Sequence, residues 1–211
     1  MKKTRLCSIM VMGMLTAGIL AGCGKKEAPV AGSQTAVSQA AVSQAAGQTL
    51  AVDKVNWFSD LDTVDIDGEP VTGDIFSDRK LTLINVWATF CSPCVREMPD
   101  LEELYQENQN GPVGIVGLLV DGSTTEYIPG LTDEERKLGK EILAQTGVTY
   151  PQITVSEALL ETDFKRVVQY PTTFFVDRDG NFVGEPVSGA RTKAEWKELI
   201  EEYLKLVDGE V

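Results

Sequence analysis

Apolar side chains fall along this chain in three regimes. Leu6 to Leu20 is apolar or small throughout, broken only by Ser8 and Thr16, and it follows a basic start at Lys2, Lys3 and Arg5. Residues 24 to about 50 are mostly Ala, Gly, Ser, Gln, Thr and Val, with almost no aromatic or large aliphatic side chains; Ala-Val-Ser-Gln-Ala occurs at 36–40 and again at 41–45. From Val52 to Val211 the pattern becomes that of a packed domain, with strand-like and helix-like spacing in turn.

Within 52–211 the elements can be laid out in order. Val64 to Val71 alternates around Asp67-Gly68, which predicts a β-hairpin. Leu81 to Trp87 and Val113 to Val120 are nearly continuous apolar runs, the mark of strands buried on both faces. Ser92 to about Asn108 reads as a helix with Leu101, Leu104 and Tyr105 on one face. Thr132 to Gln145 is a helix with Thr132 as N-cap, Glu135 completing a capping box and Gly147 ending it. Gln152 to Val155 is a short strand, and Ser156 to Phe164 a helix capped by Ser156. Thr172–Val176 and Asn181–Val187 flank the turn Asp177-Arg178-Asp179-Gly180 as a hairpin. Thr192 to Leu206 closes the chain as an amphipathic helix carrying Trp196, Leu199, Ile200 and Tyr203. The order ββ-βαβ-αβα-ββα predicts an α/β fold with helices around a mixed sheet.

Composition narrows the chemistry. Nineteen basic against 32 acidic residues leave a formal net charge of −13, which disfavours nucleic acid as a partner because phosphates would be repelled. Histidine is absent, so Ser-His-Asp and Cys-His hydrolysis, His-containing zinc sites and axial-His haem are excluded. No flavin, nucleotide or metal signature appears; the Asp-Gly pairs are turns rather than phosphate loops. In an enzyme of this composition proton chemistry must run on Cys, Asp, Glu, Lys or Tyr, and the four cysteines are Cys7, Cys23, Cys91 and Cys94.

The first of these regimes reads as a signal peptide, since it is too short to span a bilayer comfortably. It closes on Leu20-Ala21-Gly22-Cys23, which resembles the bacterial lipobox. That resemblance implies cleavage after residue 22 and lipidation of Cys23, with Cys7 removed in the leader. The mature chain would then hold 16 basic and 32 acidic residues, and acyl chains rather than charge would hold it to the membrane. Residues 23–51 are a flexible linker with a root-mean-square reach of roughly 30 Å, leaving 52–211 as the folded domain. The expected location is extracytoplasmic, tethered to the cell membrane.

Trp87-Ala88-Thr89-Phe90-Cys91-Ser92-Pro93-Cys94 places two cysteines where a buried strand gives way to a helix. This spacing lets the sulfurs meet as a disulfide, with Ser92 and Pro93 forming the active-site loop between them. Helix N–H groups aimed at Cys91 stabilise its thiolate, which makes Cys91 the nucleophile and Cys94 the resolving residue. Half a zinc site and a purely structural disulfide are the competing readings. The first lacks two ligands, and the second stabilises little for so short a loop.

Arg96-Glu97-Met98-Pro99 and Tyr170-Pro171-Thr172-Thr173-Phe174-Phe175 complete a set that resembles the thioredoxin superfamily, specifically its TlpA/ResA-like membrane-anchored thiol–disulfide oxidoreductases, over roughly residues 55–207. The resemblance implies a thioredoxin-like fold with an N-terminal hairpin and a central αβ insertion. It implies a cis Pro171 beside the disulfide, with Tyr170 presenting backbone to a substrate strand, and Trp87 either shielding the site or packing the core. Glu97 matches an acid that assists proton transfer near the buried cysteine; it could equally serve the helix dipole. The buried Asp of plain thioredoxins is replaced by Asn85. No cofactor is implied beyond the Cys91–Cys94 pair, and no metal.

The expectation is a protein-disulfide oxidoreductase working as a reductant, fed by a membrane thiol-electron donor and acting on exported disulfide-containing proteins or a partner reductase. A thiol peroxidase of the peroxiredoxin kind would need Thr and Pro where Ala88 and Ile84 stand. A non-catalytic binding lipoprotein on the same fold has no need of two adjacent thiols.

Overall fold

The computed structural model describes residues 56–121 and 130–209. The expected leader (1–22), the Cys23 lipidation site and the linker (23–51) lie outside the described residues. Among the described residues seven strands and four helices follow the predicted order: β1 (Asp62–Val64), β2 (Pro70–Thr72), β3 (Leu81–Trp87), α1 (Ser92–Glu107), β4 (Val113–Leu119), α2 (Asp133–Thr146), β5 (Gln152–Thr154), α3 (Glu157–Leu160), β6 (Thr172–Val176), β7 (Val187–Ser188) and α4 (Lys193–Asp208).

β3, β4 and β5 run parallel, β6 and β7 antiparallel to their neighbours, in the order β5-β4-β3-β6-β7. β3 and β4 are the central pair and every residue of both is buried, as their continuous apolar sequences require. Period-two geometry divides them between two cores. Leu81, Leu83, Val113, Ile115 and Phe175 meet Leu101 and Leu104 of α1 and Trp196, Ile200 and Tyr203 of α4. Ile84, Val86, Val116, Leu118 and Phe174 face the opposite cluster, which includes Leu143 of α2 and the aromatics Trp57, Phe58, Phe76 and Phe164.

Local signals set the helix ends. Thr132 and Thr192 cap α2 and α4 in complete capping boxes with Glu135 and Glu195, and Gly147 and Gly209 end them in left-handed conformation. The first hairpin turns at Gly68 (φ +92°), where the Asp65 carboxylate accepts the N–H groups of Asp67 and Glu69 at 2.8 and 2.9 Å.

Two expectations need correction. The helix predicted over 156–164 stops at Leu160 and is followed by a separate 3-10 turn over Asp163–Arg166. Thr162 makes the break: its hydroxyl donates to the Leu159 carbonyl (2.6 Å) and accepts from the Phe164 N–H (3.1 Å). Phe164 thereby turns into the core against Trp57. The strand predicted over 181–187 is reduced to a bridge at Phe182 and the short β7. Gly184 at φ +67° and Pro186, which has no N–H to give, interrupt the ladder between them. Among the described residues no helix is long and apolar enough to cross a membrane.

Candidate active site

β3 delivers the chain to the carboxyl end of the sheet, and a tight turn with Cys91 N–H on the Ala88 carbonyl (3.0 Å) leads into α1. Cys91 is the N-cap of α1, and its sulfur accepts the Cys94 N–H at 3.3 Å. Cys91 and Cys94 are joined as a disulfide with their Cα atoms 5.3 Å apart. Cys91 keeps 6% of its surface while Cys94 keeps none, so an incoming group meets Cys91 first. Ser92 and Pro93 between them are exposed. On reduction, the Cys94 N–H already on the Cys91 sulfur, at the positive end of α1, favours its thiolate.

Pro171 precedes β6, and the Tyr170–Pro171 peptide is cis. The Tyr170 hydroxyl donates to the Val167 carbonyl (3.2 Å), and the Phe90 ring meets the Tyr170 ring edge-on at 6.2 Å. Phe90 (55%) and Val168 (76%) are two large apolar side chains left open to solvent. Trp87 is fully buried in the same apolar cluster as Cys91 and Cys94, with its indole N–H on Gln152 Oε1 of β5 at 2.9 Å.

Glu97 stands one helical turn beyond Cys94 on the same side of α1 and is 2% exposed. Asn85 Nδ2 donates to one carboxylate oxygen (2.9 Å) and the Arg191 N–H to the other (3.0 Å). Asn85 also donates to Thr173 Oγ1 (3.1 Å), its cross-strand partner on β6. The indole N–H of Trp196 stands beside the carboxylate outside strict hydrogen-bond geometry. Burial outweighs these donors and pushes the Glu97 carboxyl up to about 7. The same charge, together with burial as the larger cause, holds the neighbouring Tyr150 hydroxyl in its protonated form. Asn85, noted in the sequence only as a departure, thus proves to be the residue that supports Glu97.

Sequence reasoning passed over Asp121. It ends the chain's run along β4, is 7% exposed, and accepts the Thr89 N–H at 2.8 Å, two residues before Cys91. Burial raises its carboxyl above the ordinary range, and nearby Glu135 adds to this. An acidic residue at the carboxyl end of a buried strand beside the cysteine strand is the signal that could have pointed to it. Among the described residues no three Cys, Asp or Glu side chains gather as metal ligands.

A five-stranded mixed sheet flanked by helices, with a disulfide at a helix start and a cis proline leading into β6, defines a thioredoxin-like protein of the thiol-exchange class. The chain belongs to the Redoxin family, whose pattern matches residues 41–198. It is 30% identical over 144 residues to the thiol-disulfide oxidoreductase ResA of Bacillus thuringiensis subsp. konkukian, covering 68% of this chain and 72% of that protein. Among solved structures, a thioredoxin-family thiol:disulfide interchange protein from Chlorobium tepidum TLS superposes with a TM-score of 0.55 at 22% identity, covering 68% of this chain and 92% of its own. StoA from Bacillus subtilis gives 0.51 at 19%, over 66% and 95%. The protein is a thiol–disulfide oxidoreductase of this type, and its redox group is the cysteine pair.

Proposed function

We propose that this oxidoreductase is exported, anchored through lipidated Cys23, and reduces disulfides in exported proteins with electrons from a membrane thiol donor. The observation that carries the reading is the graded burial of the pair: Cys91 at the rim of the helix N-terminus, Cys94 buried beneath it, and a protonatable carboxyl one turn further on. In the reduced enzyme the Cys91 thiolate attacks a client sulfur, the client S–S bond breaks, and one client thiolate leaves and takes up a proton. The Cys94 thiol loses its proton, with Glu97 as the acceptor, and its sulfur attacks Cys91. The second client thiolate leaves, and the protein is left as the disulfide. Two electrons have passed from the dithiol to the client; a dithiol in the membrane donor restores them. Asn85 and the Arg191 N–H hold Glu97 in position for that proton, while Tyr170 and Pro171 present the client-binding edge.

The leading test is the reduction potential of the Cys91–Cys94 pair. A value near or below about −270 mV supports a reductant, and one near −120 mV reverses the direction of flow. Cys91→Ser should abolish disulfide reduction and Cys94→Ala should trap mixed disulfides with clients; full activity in both would overturn the mechanism. Cys23→Ala should release the protein from membranes, and continued membrane retention of that variant would remove the anchor from the proposal.

A further inference from the structure

Asp121 stands just past the end of the β3–β4 pairing. The Val120 N–H still donates to the Trp87 carbonyl at 2.9 Å, so the two chains remain side by side where β3 turns toward the disulfide. The Ala88 to Cys91 turn that follows has little side-chain anchorage of its own: Phe90 is open to solvent and Thr89 is only partly buried. Its backbone is held at Cys91, whose N–H donates to the Ala88 carbonyl at 3.0 Å, and at Thr89, whose N–H donates to Asp121 Oδ1 at 2.8 Å. The Thr89 hydroxyl stands beside the same carboxylate, outside strict hydrogen-bond geometry.

A buried carboxyl is a costly acceptor for one N–H. Asp121 is 7% exposed, and its Oδ2 is buried with no hydrogen-bond partner among the described residues. Burial and the negative Glu135 of α2 both disfavour its charged form. Groups left partly unpaired in this way lower stability, and they gather at functional sites. What Asp121 holds is the residue two before Cys91, inside the turn that makes Cys91 the N-cap of α1 and sets its sulfur on the Cys94 N–H at 3.3 Å. Ala88, Val120, Cys91 and Cys94 belong to one buried cluster, so the turn and the disulfide are packed together.

We infer that Asp121 is a positioning residue for thiol exchange: through Thr89 it fixes the turn that holds the Cys91 sulfur at the positive end of α1, and so keeps that sulfur in its reactive form. The inference concerns the exchange step itself and holds for either direction of electron flow. With the tether gone the turn is free to shift, and the sulfur moves away from the helix start. The helix N-terminus favours a charge there by about three- to tenfold in the thiolate–thiol equilibrium, and that preference is what the tether protects.

The test compares the reduced wild-type protein with Asp121→Ala and Asp121→Asn. Thiolate formation is titrated by its ultraviolet absorbance, and the second-order rate constant for reduction of 2-hydroxyethyl disulfide is measured across pH. Both variants lack the carboxylate charge and differ in whether an oxygen still meets the Thr89 N–H, so the difference between them reads the tether alone. Cys91 should titrate about half to one pH unit higher in Asp121→Ala than in Asp121→Asn. The alanine variant should also be about two- to fourfold slower at neutral pH, because the greater nucleophilicity of a more basic thiol offsets part of the lost thiolate. A merely structural role would lower the urea midpoint of Asp121→Ala and leave Cys91 of the folded protein titrating as it does in Asp121→Asn. If Asp121→Ala does not fold, Asp121→Ser, whose oxygen is one bond short of the Thr89 N–H, carries the same expectation. Coincident Cys91 titrations in the variants with and without the acceptor, or a lower one where the acceptor is missing, would overturn the inference.

Discussion

Replacing Glu97 by Gln isolates the titration of a buried carboxyl group. In the oxidised protein its carboxyl is raised from 4.5 to about 7, chiefly because burial disfavours the charged form. Between those values the folded state holds a proton that the unfolded state has lost, so stability falls as pH rises through this window. The full difference corresponds to about 3 kcal/mol, and about 2.5 kcal/mol of it falls between pH 5 and pH 8. A glutamine matches the protonated acid in shape and in carrying both an acceptor and a donor. Either form can accept with one oxygen from Asn85 or Arg191 but not fully from both, a cost present in the variant at every pH. The two proteins should therefore be close in stability at pH 5, and Glu97→Gln should be the more stable by about 2.5 kcal/mol at pH 8. Urea unfolding of both, fully oxidised, reads this as a difference in midpoint of about 1 M or more. Asp121 is also raised, yet it is present in both proteins and drops out of the comparison. Parallel pH profiles for the two proteins would refute a Glu97 that titrates near neutrality.

Three further outcomes are expected. Glu97→Gln should slow resolution of the Cys91 mixed disulfide and remove a step near pH 7 from the pH–rate profile, measured by single-turnover reduction of a peptide disulfide; an unchanged profile would leave Glu97 without a part in proton transfer. Asp121→Ala removes the acceptor of the Thr89 N–H and should cost about 1–3 kcal/mol in urea unfolding. Asp121→Asn, which keeps an acceptor oxygen, should recover most of that loss, and equal losses in both variants would show that the tether is not what matters. Gly117→Ala would place a Cβ 2.1 Å from Gln152 Oε1 and displace the amide that receives the Trp87 N–H, again costing about 1–3 kcal/mol. A neutral result there would mean that Gln152 shifts without releasing the indole.

The sequence by itself determined whatever depends on residues close together in the chain. Continuous apolar runs of seven or eight residues rich in β-formers read as strands buried on both faces, and β3 and β4 stand at Leu81–Trp87 and Val113–Leu119. Thr132 with Glu135 set the start of α2, since a cap satisfies orphan N–H groups within one turn. Two cysteines three apart at a strand-to-helix junction are likewise a local geometry, and they were legible as a redox pair before any fold was known. Even the failures of local reading have local causes, in the hydroxyl of Thr162 and in Gly184 with Pro186.

Only the tertiary structure decided what surrounds that pair. Twelve residues separate Glu97 from Asn85 and 94 separate it from Arg191, and no periodicity announces that their donors converge on one carboxylate. The same holds for Asp121 under Thr89, and for Trp87, whose indole finds Gln152 on a strand 65 residues away. Desolvation is a property of the packed interior, so a carboxyl that titrates near 7 exists only once β3, β6, α1 and the approach to α4 have closed around it.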